Sequence, residues 1–187
     1  MPVNNNLGWN SQQVLQDVLS DPNLVFCAPL NEQSGTFYDR CLATQATGTA
    51  SGAVGYSRPI KTYSTGRYVI EASNQYFSQP SSAATVMGDI DFTIAIWANK
   101  LVDTAGGYPG VIAKNDGSGL EYEIYWDAGE HPTFYVRSYP TGATSATVGT
   151  PNALSLGSWH LIIAWHDSVN NTLNIQADNG TVGTAAW

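Results

Sequence analysis

Charged side chains are scarce in this sequence, and basic ones are the scarcest. Asp, Glu, Lys and Arg together make up 12% of the 187 residues, about half the usual share of roughly 25%. Only 7 basic residues stand against 15 acidic ones, which gives a net charge of −8 at pH 7. Nucleic acids and anionic membranes are bound through clustered Lys and Arg. We therefore expect neither nucleic acid nor an anionic membrane surface as a partner.

Long apolar runs are missing as well. A membrane-spanning helix needs roughly 18 or more apolar residues in succession, and the sequence contains no such stretch. Residues 1–23 also lack the basic start and apolar core of a secretory signal peptide. We expect no membrane insertion, and we see no signal peptide in this chain.

Cysteine is nearly absent. Cys27 and Cys41 are too few for a disulfide framework, and they do not have the spacing of metal ligands. They are close enough in sequence to form one disulfide, although two reduced and partly buried thiols are the simpler interpretation. Both alternatives stay open at this point.

Small polar residues take the place of the missing charges. Ser, Thr and Asn account for 47 residues and Gly for 18 more, while the hydrophobic content is still 43%. This is enough apolar material for the core of one domain. We expect a short N-terminal arm over residues 1–23 and a single folded domain over 24–187.

The arm carries the only convincing helical pattern. Ser11 can cap a helix that Pro22 ends. Apolar residues recur on one face of that helix, and Trp9 precedes it. This face should contact either the domain itself or a neighbouring chain, through Trp9, Val14, Leu15, Val18 and Leu19.

From residue 24 onwards the hydrophobic pattern has the period of two that is typical of β-strands, with turn sequences rich in Gly, Asn and Asp between them. The predicted strands cover 24–30, 68–72, 92–99, 111–114, 120–127, 133–139, 159–166 and 172–177. The small polar stretch 44–55 is predicted to be a surface loop. Short strands without an interior helix favour an all-β antiparallel sandwich or jelly roll.

Strand alternation separates the two faces of these strands. The core-facing sets are predicted to be Phe92, Ile94 and Ile96; Tyr122, Ile124 and Trp126; and Phe134 and Val136. On the opposite side, three strands each offer an aromatic residue beside polar ones. Glu121 and Glu123 are both assigned to this outward side.

In this region the chain resembles the concanavalin A-like lectin/glucanase superfamily, specifically the laminin-G-like domains. The matching segments follow in order from the opening strand at 24–39 (LVFCAPLNEQSGTFYD) through 91–97 (DFTIAIW), 110–117 (GVIAKNDG), 120–127, 133–138, 154–164 (LSLGSWHLIIA) and 171–180. The resemblance implies a concanavalin A-like jelly-roll sandwich that recognises carbohydrate or protein at surfaces. The family normally continues with further strands, so we expect either a fragment or completion by a neighbouring subunit.

The outward aromatic and polar side chains have the chemistry of a sugar site. Sugars present apolar C–H faces together with many hydroxyls, so aromatic rings beside carboxylate and guanidinium groups suit them. The candidate ligand-binding residues are Trp97, Glu123, Tyr125, Tyr135, Arg137 and Tyr139. The alternatives are that these aromatics form a second core layer or pack under a partner chain.

Catalysis has less support. The glucanase branch of the superfamily uses an E-x-D-x-x-E strand, and here Tyr125 follows Glu121 and Glu123, so the helper acid is missing. The three histidines lie near turns or strand ends without a nucleophile-elbow sequence. We expect no enzymatic activity and no catalytic residues.

Calcium is common in this superfamily, and it is the one cofactor that we consider. It needs oxygen ligands such as loop carboxylates. The candidates are Asp39, Asp103 and Asp116, although loop aspartates usually form turns.

The functional expectation is a non-enzymatic, carbohydrate-binding surface-recognition module. A surface-type composition without a signal peptide favours a decoration or fibre protein of a virus or phage particle, located on the virion surface or outside the cell. Its expected partners are a glycan or cell-surface polysaccharide and other virion subunits or further copies of itself. The alternatives are a purely structural virion protein without a ligand and a secreted lectin domain associated with a glycoside hydrolase.

Overall fold

The computed structural model describes residues 19–28, 30, 36–38, 40–41, 47–51, 55–60, 64–68, 75–103, 107–115, 119–138, 141–142 and 144–187. The chain forms two compact units, Met1–Ala84 and Thr85–Trp187. Every strand pair is antiparallel, as predicted. Among the helices of the described residues, none is long and apolar enough to cross a membrane.

The described residues of the first unit contain five short strands. They are β1 (Thr36–Tyr38), β2 (Thr47–Ser51), β3 (Gly55–Ile60), β4 (Ser64–Tyr68) and β5 (Tyr76–Ser78). β1, β2 and β5 form one sheet in that order, and β3 pairs with β4. A 3-10 turn follows at Ala83–Thr85.

The predicted loop at 44–55 is wrong, because β2 lies within it. Its sequence, TGTAS, has no large apolar side chain to mark a strand. The strand is built around Gly48, which pairs with Phe37 across β1 and β2. A Cβ atom at Gly48 would overlap the buried Phe37 ring, so the ring occupies the place of the missing side chain. Here the partner strand supplies the apolar surface that the sequence of β2 lacks.

The predicted strand at 24–30 is also wrong. Residues 24–28 and 30 lie outside any strand, and Leu30 has a left-handed φ of 53°. Their polar backbone atoms are bound by a nearby loop instead, because the Arg40 N–H donates to the Cys27 carbonyl at 2.7 Å. The Cys41 thiol donates to the Leu24 carbonyl at 2.8 Å. No disulfide joins Cys27 and Cys41, and Cys41 is buried.

Several predicted elements lie outside the residues that the structure describes. The arm contacts Trp9, Val14, Leu15 and Val18 lie outside the described residues, as does most of the predicted strand at 68–72. Leu19 is described and is half-buried. The helical arm therefore stays a prediction.

The second unit consists of two four-stranded sheets. Its strands are β6 (Phe92–Ala98), β7 (Gly110–Asn115), β8 (Leu120–Trp126), β9 (Pro132–Arg137), β10 (Ser145–Gly149), β11 (His160–Asp167), β12 (Thr172–Ala177) and β13 (Gly183–Ala186). One sheet has the order β10-β9-β8-β7 and the other β13-β12-β11-β6. We call them the β8 sheet and the β11 sheet. β10 and β13, made of small residues, are the two strands of this unit that the sequence pattern did not predict.

The inward faces of these two sheets share one hydrophobic core. Ile124 and Phe134 of the β8 sheet and Ile162, Leu173 and Ile175 of the β11 sheet are fully buried within it. The predicted core residues Phe92, Tyr122, Trp126 and Val136 are buried, while Ile94 and Ile96 pack against the cluster at intermediate exposure. The predicted inward sets are confirmed, and the unit is an all-β, sandwich-like fold.

The two sheets come into close backbone contact where β13 meets β10. A Cβ atom at Gly183 would overlap the backbone carbonyl of Gly149. Only glycine lets the two backbones come this near. This contact closes one side of the core.

Candidate functional site

The outward side of the β8 sheet carries a cluster that we call the tyrosine face, defined as Tyr108, Glu123, Tyr125 and Tyr135. Glu123 lies directly opposite Tyr135 across β8 and β9, and Tyr125 lies opposite Thr133. Tyr125 and Tyr135 are therefore diagonal neighbours, a separation that aromatic side chains can bridge. The candidate residues Glu123, Tyr125 and Tyr135 come together on one surface, as alternation predicted.

Tyr108 was not identified from the sequence, because it lies in the loop before β7. Its ring packs edge-to-face on Tyr125, with 5.9 Å between centroids and 74° between planes. Tyr108 is 64% exposed. Its nearness to the predicted Tyr125 is a tertiary contact that strand alternation does not reveal.

The outer positions of the same sheet are small. Gly110 and Ala113 of β7 lie opposite Tyr125 and Glu123, and Thr147 and Gly149 of β10 lie opposite Tyr135 and Thr133. The Glu123 side chain leans over Gly110, and a Cβ atom there would be 3.3 Å from Oε1. The tyrosine rings and the carboxylate therefore project beyond the small side chains on the neighbouring strands. A flat ligand can contact them without obstruction from those strands.

The polar groups of the tyrosine face have no partners among the described residues. No described donor binds the Glu123 carboxylate, and the three phenol groups make no described hydrogen bond. Burial raises the pKa of Glu123 above its usual value. Burial also raises the pKa of Tyr125, and the nearby charges of Glu123 and Asp127 add to that effect. The face thus combines partly buried acceptors with negative charge.

Arg137 lies at the end of this surface and is engaged by its own hairpin. Its Nε donates to the Gly142 carbonyl at 3.3 Å. Gly142 has a left-handed φ of 62°, and a Cβ atom there would overlap the guanidinium. The one basic residue of the candidate set is therefore held towards the β9–β10 turn. Tyr139 lies outside the described residues.

Trp97 does not belong to this surface. It lies on β6, which is an edge strand of the β11 sheet, and it is 40% exposed. Because the inward sides of the two sheets meet at the core, their outward sides face in opposite directions. The expectation that Trp97 shares a site with Glu123 and Tyr125 is corrected.

The outward side of the β11 sheet has a different character. Trp97 lies opposite Leu161, and Ile163 and Trp165 follow on β11 at intermediate exposure. We call Trp97, Leu161, Ile163 and Trp165 the apolar face. The continuous apolar run LIIAW is the sequence signal for a strand with apolar residues on both sides.

Glu121 is the second corrected residue, because it is 3% exposed and not on the outward side. Asn115 pairs with Leu120 but Lys114 pairs with Tyr122, so Glu121 is the extra residue of a β-bulge. A bulge re-aims its side chain. Oε1 of Glu121 accepts the backbone N–H groups of Met87 at 2.7 Å and Gly88 at 2.9 Å. Glu121 and Glu123 consequently do not form a carboxylate pair on one face.

The three aspartates predicted as calcium ligands are not brought together within the described residues. Asp39 and Asp116 lie outside the described residues, and Asp103 is exposed. The described part of the chain contains no group of three or more His, Cys, Asp and Glu side chains able to hold a metal. Asp127 and Asp167 accept backbone N–H groups of the turns that follow them, the role expected of loop aspartates.

A hydrogen-bonded series of Asp178, His160 and Ser155 lies at the start of β11. His160 Nδ1 is 2.5 Å from Asp178 Oδ2, and Nε2 is 3.3 Å from the Ser155 hydroxyl and 3.0 Å from the Ser155 carbonyl oxygen. A serine nucleophile needs Nε2 as the acceptor of its hydroxyl proton. The nearer oxygen here is a carbonyl, which can only accept, so the arrangement fits a tie between the loop before β11 and the turn after β12.

Comparison with known proteins yields no relative for this chain. No protein-family model matches it, and neither a curated protein nor a solved structure does.

Proposed function

We propose that this protein is a non-enzymatic carbohydrate-binding module that holds its ligand on the tyrosine face. The observation that carries the proposal is a surface of three tyrosine rings and one carboxylate whose polar atoms have no partner among the described residues. Aromatic rings pack on the C–H faces of sugars, and phenol and carboxylate groups bind sugar hydroxyls.

The proposal includes the fold of the laminin-G-like domains that the sequence resembles. The sandwich-like core of the second unit is consistent with a concanavalin A-like, laminin-G-like jelly roll. The carrier is a virus or phage particle, on which the module acts as a decoration or fibre protein attached by the N-terminal arm. A lectin domain associated with a secreted glycoside hydrolase is the alternative setting of the same binding activity.

A glycan array followed by calorimetry tests the binding proposal. We expect Tyr125→Ala to abolish binding, because it removes the central ring and the surface on which Tyr108 packs. Trp97→Ala is the matched control, because it truncates an exposed aromatic residue on the other sheet. Absence of binding to every glycan, or equal loss in both variants, would contradict the proposal.

A second candidate function is a purely structural virion protein that binds other subunits. The apolar face favours it, since apolar surface of this kind suits protein contacts. Ile163→Lys should then prevent assembly with the particle and leave glycan binding intact. Deleting residues 1–23 separately tests the arm; a deletion variant that still attaches to the particle would contradict attachment through it.

A further inference from the structure

We propose that the tyrosine face selects uncharged glycans and rejects acidic ones, with Glu123 as the residue that sets this preference. The inference rests on the proposed function and adds the chemical class of the ligand. It concerns sugars that offer adjacent hydroxyl groups to the carboxylate, in contrast to sugars that carry carboxylate or sulfate groups.

The charge balance of the surface is the first argument. Glu123 and Asp127 are the acidic groups that act on Tyr125, and no basic group is among those that act on it. Arg137, two residues after Tyr135 on β9, donates to the Gly142 carbonyl at the hairpin end. An acidic sugar that reaches Tyr125 would place its charge beside two like charges.

The state of the Glu123 carboxylate is the second argument. It is half-buried against Gly110, and no described donor satisfies its oxygens. Partial burial disfavours the charged form of this carboxylate, and hydroxyl donors from a ligand can replace the solvent that still reaches its oxygens. Two adjacent sugar hydroxyls can donate to its two oxygens, whereas an acidic substituent offers only acceptors.

The small side chains around the Glu123 carboxylate are the third argument. Gly110 and Ala113 leave the β7 side of Glu123 without large side chains, and Tyr125 and Tyr135 flank it on the other sides. A pyranose ring resting on either tyrosine therefore brings its edge hydroxyls to Glu123. The rings supply affinity for sugars in general, and the carboxylate decides which substituents are accepted.

The experiment compares matched pairs of glycans in which a carboxylate is either free or esterified. Suitable pairs are sialyl-N-acetyllactosamine and its carboxyl methyl ester, and oligogalacturonate without and with methyl esterification. We expect the wild-type protein to bind the acidic member of a pair at least about tenfold more weakly, because like-charge contacts disfavour it. Raising the ionic strength should narrow this gap, since salt screens exposed charges.

Glu123→Gln keeps the size of the side chain and removes its charge. We expect the acidic-to-neutral affinity ratio to rise about fivefold or more, and its dependence on salt to weaken, since Asp127 remains. Tyr135→Ala should weaken both members equally and leave the ratio unchanged. Asp167→Asn, which removes one charge from the other sheet, is the control for net charge.

The outcomes separate this inference from the proposed function. Equal or tighter binding of acidic glycans that still requires Tyr125 would overturn the preference and leave the binding function standing. An unchanged ratio in Glu123→Gln would also overturn it. Loss of all glycan binding in the wild-type protein would overturn both.

Discussion

Tyr122 gives the sharpest quantitative test of the β8 geometry. Its ring is buried in the core, and its hydroxyl donates to the Thr85 carbonyl at 3.3 Å. Burial, together with the negative charge of the neighbouring Glu121, raises the pKa of Tyr122 from 10.0 to about 12. The residue therefore reports on the bulge that turns Glu121 away from the tyrosine face.

The pKa difference makes the stability depend on alkaline pH. Between pH 10 and pH 12 the folded protein keeps the Tyr122 proton while the unfolded chain has lost it, so raising the pH favours unfolding. A pKa difference of two units lowers the free energy of unfolding by about 1.4 kcal/mol by pH 11 and by about 2.7 kcal/mol once the pH is well above 12. Tyr122→Phe removes this contribution, and at pH 8 it costs only the hydrogen bond, about 0.5–1.5 kcal/mol.

Urea unfolding from pH 8 to pH 11.5 measures the difference between the two proteins. Five of the six tryptophans lie in residues 85–187, so tryptophan fluorescence follows the unit that contains Tyr122. We expect the phenylalanine variant to be the less stable protein at pH 8 and to reach or exceed the wild-type stability above pH 11. Parallel curves for the wild-type protein and Tyr122→Phe would refute the buried position of Tyr122 beside the charge of Glu121.

Three further changes probe other parts of the chain. Because burial raises the pKa of Glu123, its charge opposes folding once the pH exceeds the unfolded value of about 4.5. In urea titrations, Glu123→Gln should therefore raise the free energy of unfolding more at pH 7 than at pH 4. The opposite trend would contradict the burial of Glu123. Gly48→Ala should destabilise the first unit by about 1–3 kcal/mol through overlap with Phe37, whereas the exposed Thr49→Ala should change little by thermal unfolding. Gly183→Ala should cost at least as much in the second unit, since it meets the rigid Gly149 backbone; a neutral result would mean that the sheets are not in contact there.

Sequence patterns were most informative where a strand carries large apolar residues at alternate positions. The inward residues Tyr122, Ile124 and Trp126 were predicted because alternation alone determines the side of a regular strand. The outward position of Glu123 and Tyr125 follows from the same rule. Glu121 breaks the rule because a bulge depends on the register of the neighbouring strand, which local sequence does not encode.

The other errors have related physical causes. β2 owes its place in the sheet to a ring on its partner strand, so its own small residues resemble a loop. The position of Trp97 was correct with respect to its own strand, but the assignment of strands to sheets is a tertiary property. For the same reason, the sequence does not predict Tyr108 as part of the candidate site, because its contact with Tyr125 is a tertiary contact.

The alternation in β8 and β9 also has an evolutionary consequence. The side chains at 123, 125 and 135 stand outside the hydrophobic core, while those at 122, 124 and 134 form part of it. The chemistry of this outward surface can therefore change by single substitutions that leave the folded framework untouched. A library randomised at the outward positions should stay folded, which makes this surface a starting point for engineered recognition.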